Sequence, residues 1–130
     1  MSEYPKDLRY TKEHEWTRLE AGGKVAVVGI TAFAVEQLGD VTLVDLPAAG
    51  AAVEQMKPFG AIESVKAVSD LFSPLTGTIA AVHDELKQKP ELVNEDPYTK
   101  GWLVKIEMQK PGELESLMDA AAYETYVAAL

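Results

Sequence analysis

The chain predicts a mainly β fold, a small sandwich or barrel with short helices at its margins. Three observations point there. Short runs of β-branched and other apolar residues recur between turn signals at roughly 8 to 12 residue intervals over the first two thirds of the sequence. Proline and glycine punctuate that stretch too often for a helical protein, as at Pro47, Gly50, Pro58, Gly60, Pro74 and Gly77. A sustained helical pattern of apolar residues starts only after Pro111.

The elements follow in order. Trp16 to Leu19 and Val25 to Ile30 read as two strands joined through Glu20-Ala21-Gly22-Gly23-Lys24, where the glycine pair supplies the positive φ of a hairpin turn. Thr31 is placed to cap a short helix, Ala32 to Leu38, which Gly39 ends. Val41 to Leu46 resumes a strand, and Pro47-Ala48-Ala49-Gly50 breaks it. After the turn at Gln55 to Pro58 comes a strand from Phe59 to Glu63, and Val68 to Leu71 and Thr78 to Val82 follow as two more. Asp84 to Lys89 reads as a short helix stopped by Pro90, and Leu92 to Tyr98 as an ordered loop. Trp102 to Met108 is the last strand, with Trp102, Val104, Ile106 and Met108 on one face. The β part thus spans about residues 8–108, and a helical tail covers 111–130. Leu114, Leu117 and Met118 should pack on the β part, and a second tail helix after Asp119 should turn Tyr123, Tyr126, Val127 and Leu130 inward.

With 130 residues, 47% of them apolar and 25% charged, the chain suits one ordered domain covering 1–130, and no linker divides it. Its formal charge of −9, from 21 acidic and 12 basic side chains, opposes binding to nucleic acid, whose phosphates call for clustered Lys and Arg. No apolar stretch approaches the ~20 residues of a membrane span. Without cysteine the protein has no thiol of its own, so any sulfur redox chemistry must come from a cofactor. The segment Met1 to Asp7 shows neither an apolar core nor an Arg-rich amphipathic start, so no targeting peptide is expected; a matured organellar protein would begin in the same way.

Groups suited to catalysis are few. His14 and His83 are far apart and neither has an i, i+4 histidine partner, a spacing that does not suggest a metal site. No Gly-rich phosphate loop and no nucleophile elbow occur. The acidic pairs Glu13 with Glu15 and Glu95 with Asp96 read as solvated charge in so acidic a chain. The residue that stands out is Lys66, between two β-type runs in Glu63-Ser64-Val65-Lys66-Ala67-Val68-Ser69-Asp70 and just before the turn signals Ser73-Pro74 and Gly77. If those runs pair, the amine stands on a tight turn among small neighbours, where another protein can reach and acylate it.

From Tyr10 to Tyr126 the chain resembles the H protein family of the glycine cleavage system. The resemblance is carried by Tyr10-Thr11-Lys12-Glu13-His14-Glu15-Trp16, Val28-Gly29-Ile30-Thr31, Gln37-Leu38-Gly39-Asp40, Val44-Asp45-Leu46-Pro47, the lysine block from Glu63 to Leu71, Pro90 to Tyr98, and Gly101-Trp102-Leu103. Val65 and Ala67 fit this family; the lipoyl domains of 2-oxo acid dehydrogenases carry Asp before the lysine, and biotin carriers place methionines on both sides of it.

The resemblance implies a lipoyl-domain-like barrel-sandwich hybrid and a lipoic acid joined by an amide to Lys66. It implies a monomeric, non-catalytic carrier that takes glycine's aminomethyl group from glycine decarboxylase, a pyridoxal phosphate enzyme. The group passes to aminomethyltransferase, and the resulting dithiol to dihydrolipoamide dehydrogenase. Glu63, Ser64, Val65 and Ala67 become the surface read by lipoylating enzymes, and Glu15 and Asp70 the carboxylates of a cleft sheltering the loaded arm. Both are expected to be exposed, so that alanine at either should change stability by no more than ~0.5 kcal/mol. The implied location is the cytoplasm of a bacterium, or a mitochondrion if a transit peptide has been removed. Two other readings stay open: a carrier relaying lipoyl groups to other complexes, and an unmodified structural adaptor.

Overall fold

The computed structural model describes residues 4–20 and 22–130. Met1 to Glu3, and with them part of the segment read for targeting, lie outside the described residues, as does Ala21 of the first turn. Among the described residues nine strands form two sheets: β1 (Arg9–Tyr10), β2 (Glu15–Leu19), β3 (Val25–Ile30), β4 (Val41–Asp45), β5 (Ala52–Val53), β6 (Pro58–Ser64), β7 (Val68–Phe72), β8 (Gly77–Val82) and β9 (Val104–Met108). The larger sheet has the order β1-β2-β3-β9-β8-β5 and the smaller β4-β6-β7, with every pairing antiparallel. They face each other as a sandwich.

Between the sheets Val44, Ile62 and Leu71 of the smaller meet Val28, Ile30, Ile79, Val104 and Ile106 of the larger, all buried. Each such side chain contributes on the order of 1.5–3 kcal/mol by leaving water. The core is closed at its margins by Leu38 from helix α1 (Ala32–Leu38), Leu86 from a 3-10 turn (Asp84–Lys87) and Val93 from the single turn α2 (Leu92–Glu95). The region 92–98 is therefore not all loop. Its one helical turn is held by burial of Val93 and by the Asp96 N–H to Leu92 carbonyl bond of 2.9 Å, a tertiary effect that local propensity does not reveal.

The predicted caps are present: Thr31 Oγ1 accepts the Ala34 N–H at 3.2 Å, and Gly39 ends α1 at φ 76°. Gly22 and Gly23 turn the first hairpin at φ 97° and 73°. The last strand starts at Val104, because Trp102 turns aside to stack on His83 with ring centroids 4.4 Å apart.

Gly29 is required for a different reason. It pairs with Trp16 across β2 and β3, and a Cβ at this position would lie 2.5 Å from the indole ring. The fully buried Trp16 belongs to a second cluster on the outer side of the larger sheet, with Leu8, Tyr10, Val27, Ala120 and Tyr123. The tail builds this cluster. After a 3-10 stretch (Pro111–Ser116), Met118 bridges to Tyr10 through two backbone bonds of 2.8 and 2.9 Å, and Asp119 caps α3 (Ala120–Ala128) by accepting the Ala122 N–H at 2.8 Å. Tyr123 then stacks on Tyr10 at 4.7 Å. Leu114 and Leu117 pack with Ala26, Leu75 and Met108 as expected, whereas Leu130 lies beyond the end of α3 and is exposed.

Candidate functional site

Strands β6 and β7 pair as a hairpin, with Glu63 opposite Val68, and Val65-Lys66-Ala67 form its tip. Ser64 organises the turn. Its N–H donates to the Ala67 carbonyl at 2.8 Å, and its hydroxyl oxygen accepts the Lys66 and Ala67 N–H groups at 3.2 and 3.1 Å. Ser64 thus satisfies the Lys66 and Ala67 N–H groups within the turn, and the Lys66 side chain is exposed. Val65 and Val68 flank it at 67% and 69% exposure, unusual for valine. Leu43, opposite Glu63 on β4, is 47% exposed, so apolar side chains surround an amine on a largely acidic protein.

Beside the hairpin lies a cleft of about 460 Å³. One wall is α1, through Phe33, Ala34, Gln37 and Leu38, and the opposite wall is the hairpin from Ala67 to Leu71. Glu13, His14 and Glu15 close its end. The two carboxylates expected of a cleft, Glu15 and Asp70, line the same one. Asp70 is exposed, but Glu15 is not: at 1% exposure it is among the most buried side chains, contrary to the expectation of a surface residue. Thr11 Oγ1 donates to Glu15 Oε1 at 2.6 Å, and the Phe72 N–H donates to Oε2 at 3.2 Å. Burial pushes the carboxyl up to about 8, against the opposing pull of these hydrogen bonds, and Glu13 adds to the rise. Statistics for an isolated glutamate favour exposure, so only the tertiary neighbours could reveal this.

His14 was not singled out for the site by its sequence, yet it stands at the cleft with a positive φ of 72°. Its carbonyl accepts the Thr31 N–H at 2.9 Å. Its Nδ1 lies 2.7 Å from the Tyr123 hydroxyl, which is itself 2.7 Å from Thr31 Oγ1. Burial lowers the imidazole's pKa, and Glu13 only partly opposes this. A neutral ring is thereby favoured at the end of the cleft.

A two-sheet sandwich that carries an exposed lysine on a hairpin turn, beside a cleft, has the architecture of a carrier domain that presents one lysine for modification. A profile of the glycine cleavage H-protein family matches residues 8–129. The glycine cleavage system H protein of Symbiobacterium thermophilum is 50% identical over 126 residues, covering 97% of both chains. That of Anaeromyxobacter sp. strain K is 54% identical over 125 residues, covering 96% of both. The crystal structure of a glycine cleavage system H protein from Mycobacterium marinum superposes with a TM-score of 0.88 at 36% identity, over 96% of this chain and 99% of that one. The chain belongs to the glycine cleavage H-protein family.

Proposed function

We propose that this chain is the lipoyl-bearing carrier of a glycine cleavage system, a non-catalytic subunit that moves glycine's aminomethyl group between enzymes. The observation that carries this reading is the exposed Lys66 amine at the tip of the β6–β7 turn, next to a cleft lined by Glu13, Glu15 and Asp70. Lipoic acid, in amide linkage to Lys66, would supply a ring disulfide that takes up the aminomethyl group and is returned as a dithiol. The residues fit such a group. The turn leaves the amine free for acylation, and a Cβ at Gly39 would stand 3.3 Å from Lys66 Cε, so the bare glycine makes room for the stem.

Each residue then has a role. Glu63, Ser64, Val65 and Ala67 frame Lys66 for a lipoylating enzyme, Ser64 by setting the turn and the others by their side chains. Glu15 and Asp70 hold the terminal amine. A protonated amine near Glu15 favours the ionised carboxylate, which its burial otherwise disfavours, and the resulting hydrogen bond is charge-assisted. A neutral His14 places no competing cation beside that amine.

The partners in this reading are glycine decarboxylase, aminomethyltransferase, dihydrolipoamide dehydrogenase and a lipoylating enzyme. Residues 1–130 act as one monomeric carrier domain, a sandwich of about 8–108 with the tail 111–130 docked on it. The named relatives come from bacteria, and the reading places the protein in a bacterial cytoplasm. The test has two stages. Intact mass of protein from its native source should exceed the chain mass by one lipoyl group. The lipoylated protein, mixed with glycine decarboxylase, should then support exchange of carbon dioxide into glycine; absence of exchange refutes the reading.

A further inference from the structure

The connector between α1 and β4 meets the lysine hairpin at two points. The Asp40 carbonyl accepts the Val65 N–H at 3.0 Å, and the Lys66 stem lies against Gly39, where a Cβ would be 3.6, 3.3 and 3.8 Å from Cδ, Cε and Nζ. This connector is clamped by one side chain of α2. Asn94 donates from Nδ2 to the Gly39 carbonyl at 2.8 Å and accepts the Val41 N–H on Oδ1 at 2.8 Å. A carbonyl faces one end of the amide and an N–H the other, so a single orientation satisfies both. Aspartate would lack the donor, and alanine both bonds.

We propose that Asn94 is a positioning residue for the lysine arm. By fixing Gly39 to Val41 it holds the shelf on which the Lys66 stem rests, and so delivers Nζ to the C-terminal end of α1. Leu38 and Gln37, the residues just before Gly39, are where the α1 wall of the cleft begins. A lysine stem lengthened by an acyl chain has many rotamers, and fixing its first bonds removes most of the directions that miss the cleft. The inference rests on Lys66 being the acylated residue and on the cleft receiving its arm, but the shelf itself is testable without either.

In unmodified protein, nuclear Overhauser contacts between the Lys66 ε-protons and the Gly39 α-protons should be seen in the wild type, and be lost in Asn94→Ala and Asn94→Asp. They should persist in Leu75→Val, a core substitution in a separate apolar cluster that controls for stability alone. After lipoylation, confirmed by intact mass, Asn94→Ala should be acylated as fully as the wild type. Its aminomethyl-loaded form should decay roughly two- to tenfold faster, the scale expected when one long side chain loses its preorganisation. Absence of the contact in the wild type overturns the shelf, and its survival in Asn94→Asp overturns the role of the Gly39 bond. An unchanged decay in Asn94→Ala, or an equal acceleration in Leu75→Val, overturns the aiming role. A wild type that takes up no lipoyl group refutes the carrier reading and the arm together, and intact mass identifies that case before any variant is compared.

Discussion

The buried carboxyl of Glu15 accepts the backbone N–H of Phe72 at 3.2 Å, tying the start of β2 to the end of the strand that leaves the lysine turn. The larger sheet is thus joined to the hairpin by a group that titrates, and its protonation bears on both the fold and the cleft.

The Glu15 carboxyl is raised by burial from 4.5 to about 8 in the folded protein, so the folded state binds more protons than the unfolded chain between those values. Stability should therefore fall as pH rises from about 4.5 to about 8 and level off above, by at most ~5 kcal/mol. Urea melts at pH 5, 6.5 and 8 measure the slope. Glu15→Gln, which cannot ionise, should flatten it; equal slopes in the two proteins would show that Glu15 is not the titrating group.

At neutral pH, Glu15→Ala should cost about 1–3 kcal/mol, because it leaves the buried Thr11 hydroxyl and the partly buried Phe72 N–H without their acceptor. Asp70→Ala, at an exposed position, should stay within ~0.5 kcal/mol. In both variants the aminomethyl-loaded protein should decay faster than wild type. A lifetime equal to wild type in either would remove that residue from the proposed cleft role.

Lys66→Arg should fold with unchanged circular dichroism, since the side chain is exposed and arginine keeps its charge. Its guanidinium offers no amine for amide formation, so the mass should gain no lipoyl group and carbon dioxide exchange should vanish. Full activity in this variant would refute the assignment of the attachment site.

Gly29→Ala should destabilise the protein by about 1–3 kcal/mol, because the added methyl meets a buried indole that has nowhere to move. A melting temperature within a degree of wild type would show that the Trp16 pocket is looser than its geometry indicates.

Much of this molecule is legible in its residues because local chemistry decided it. Thr31 and Gly39 bound α1 as capping requires, Gly22 and Gly23 turn the first hairpin, and the lysine block folds back on itself around Ser64. The two-residue strands β1 and β5 were not legible, because pairs so short carry no periodicity and exist only through their partners, β2 and the Met118 bridge for β1 and β8 for β5. Nor was Asn94, whose two bonds reach residues more than fifty positions away.

The sequence by itself determined the β class, the turn that presents Lys66 and the family, since each depends on residue types at short range or on a pattern spread over the whole chain. Only the tertiary structure decided that Glu15 is buried, that His14 lines the cleft with its ring held by Tyr123, and that one asparagine clamps the connector under the lysine stem. Burial and long-range hydrogen bonds depend on which elements come to rest against one another, and no stretch of neighbouring residues encodes that alone.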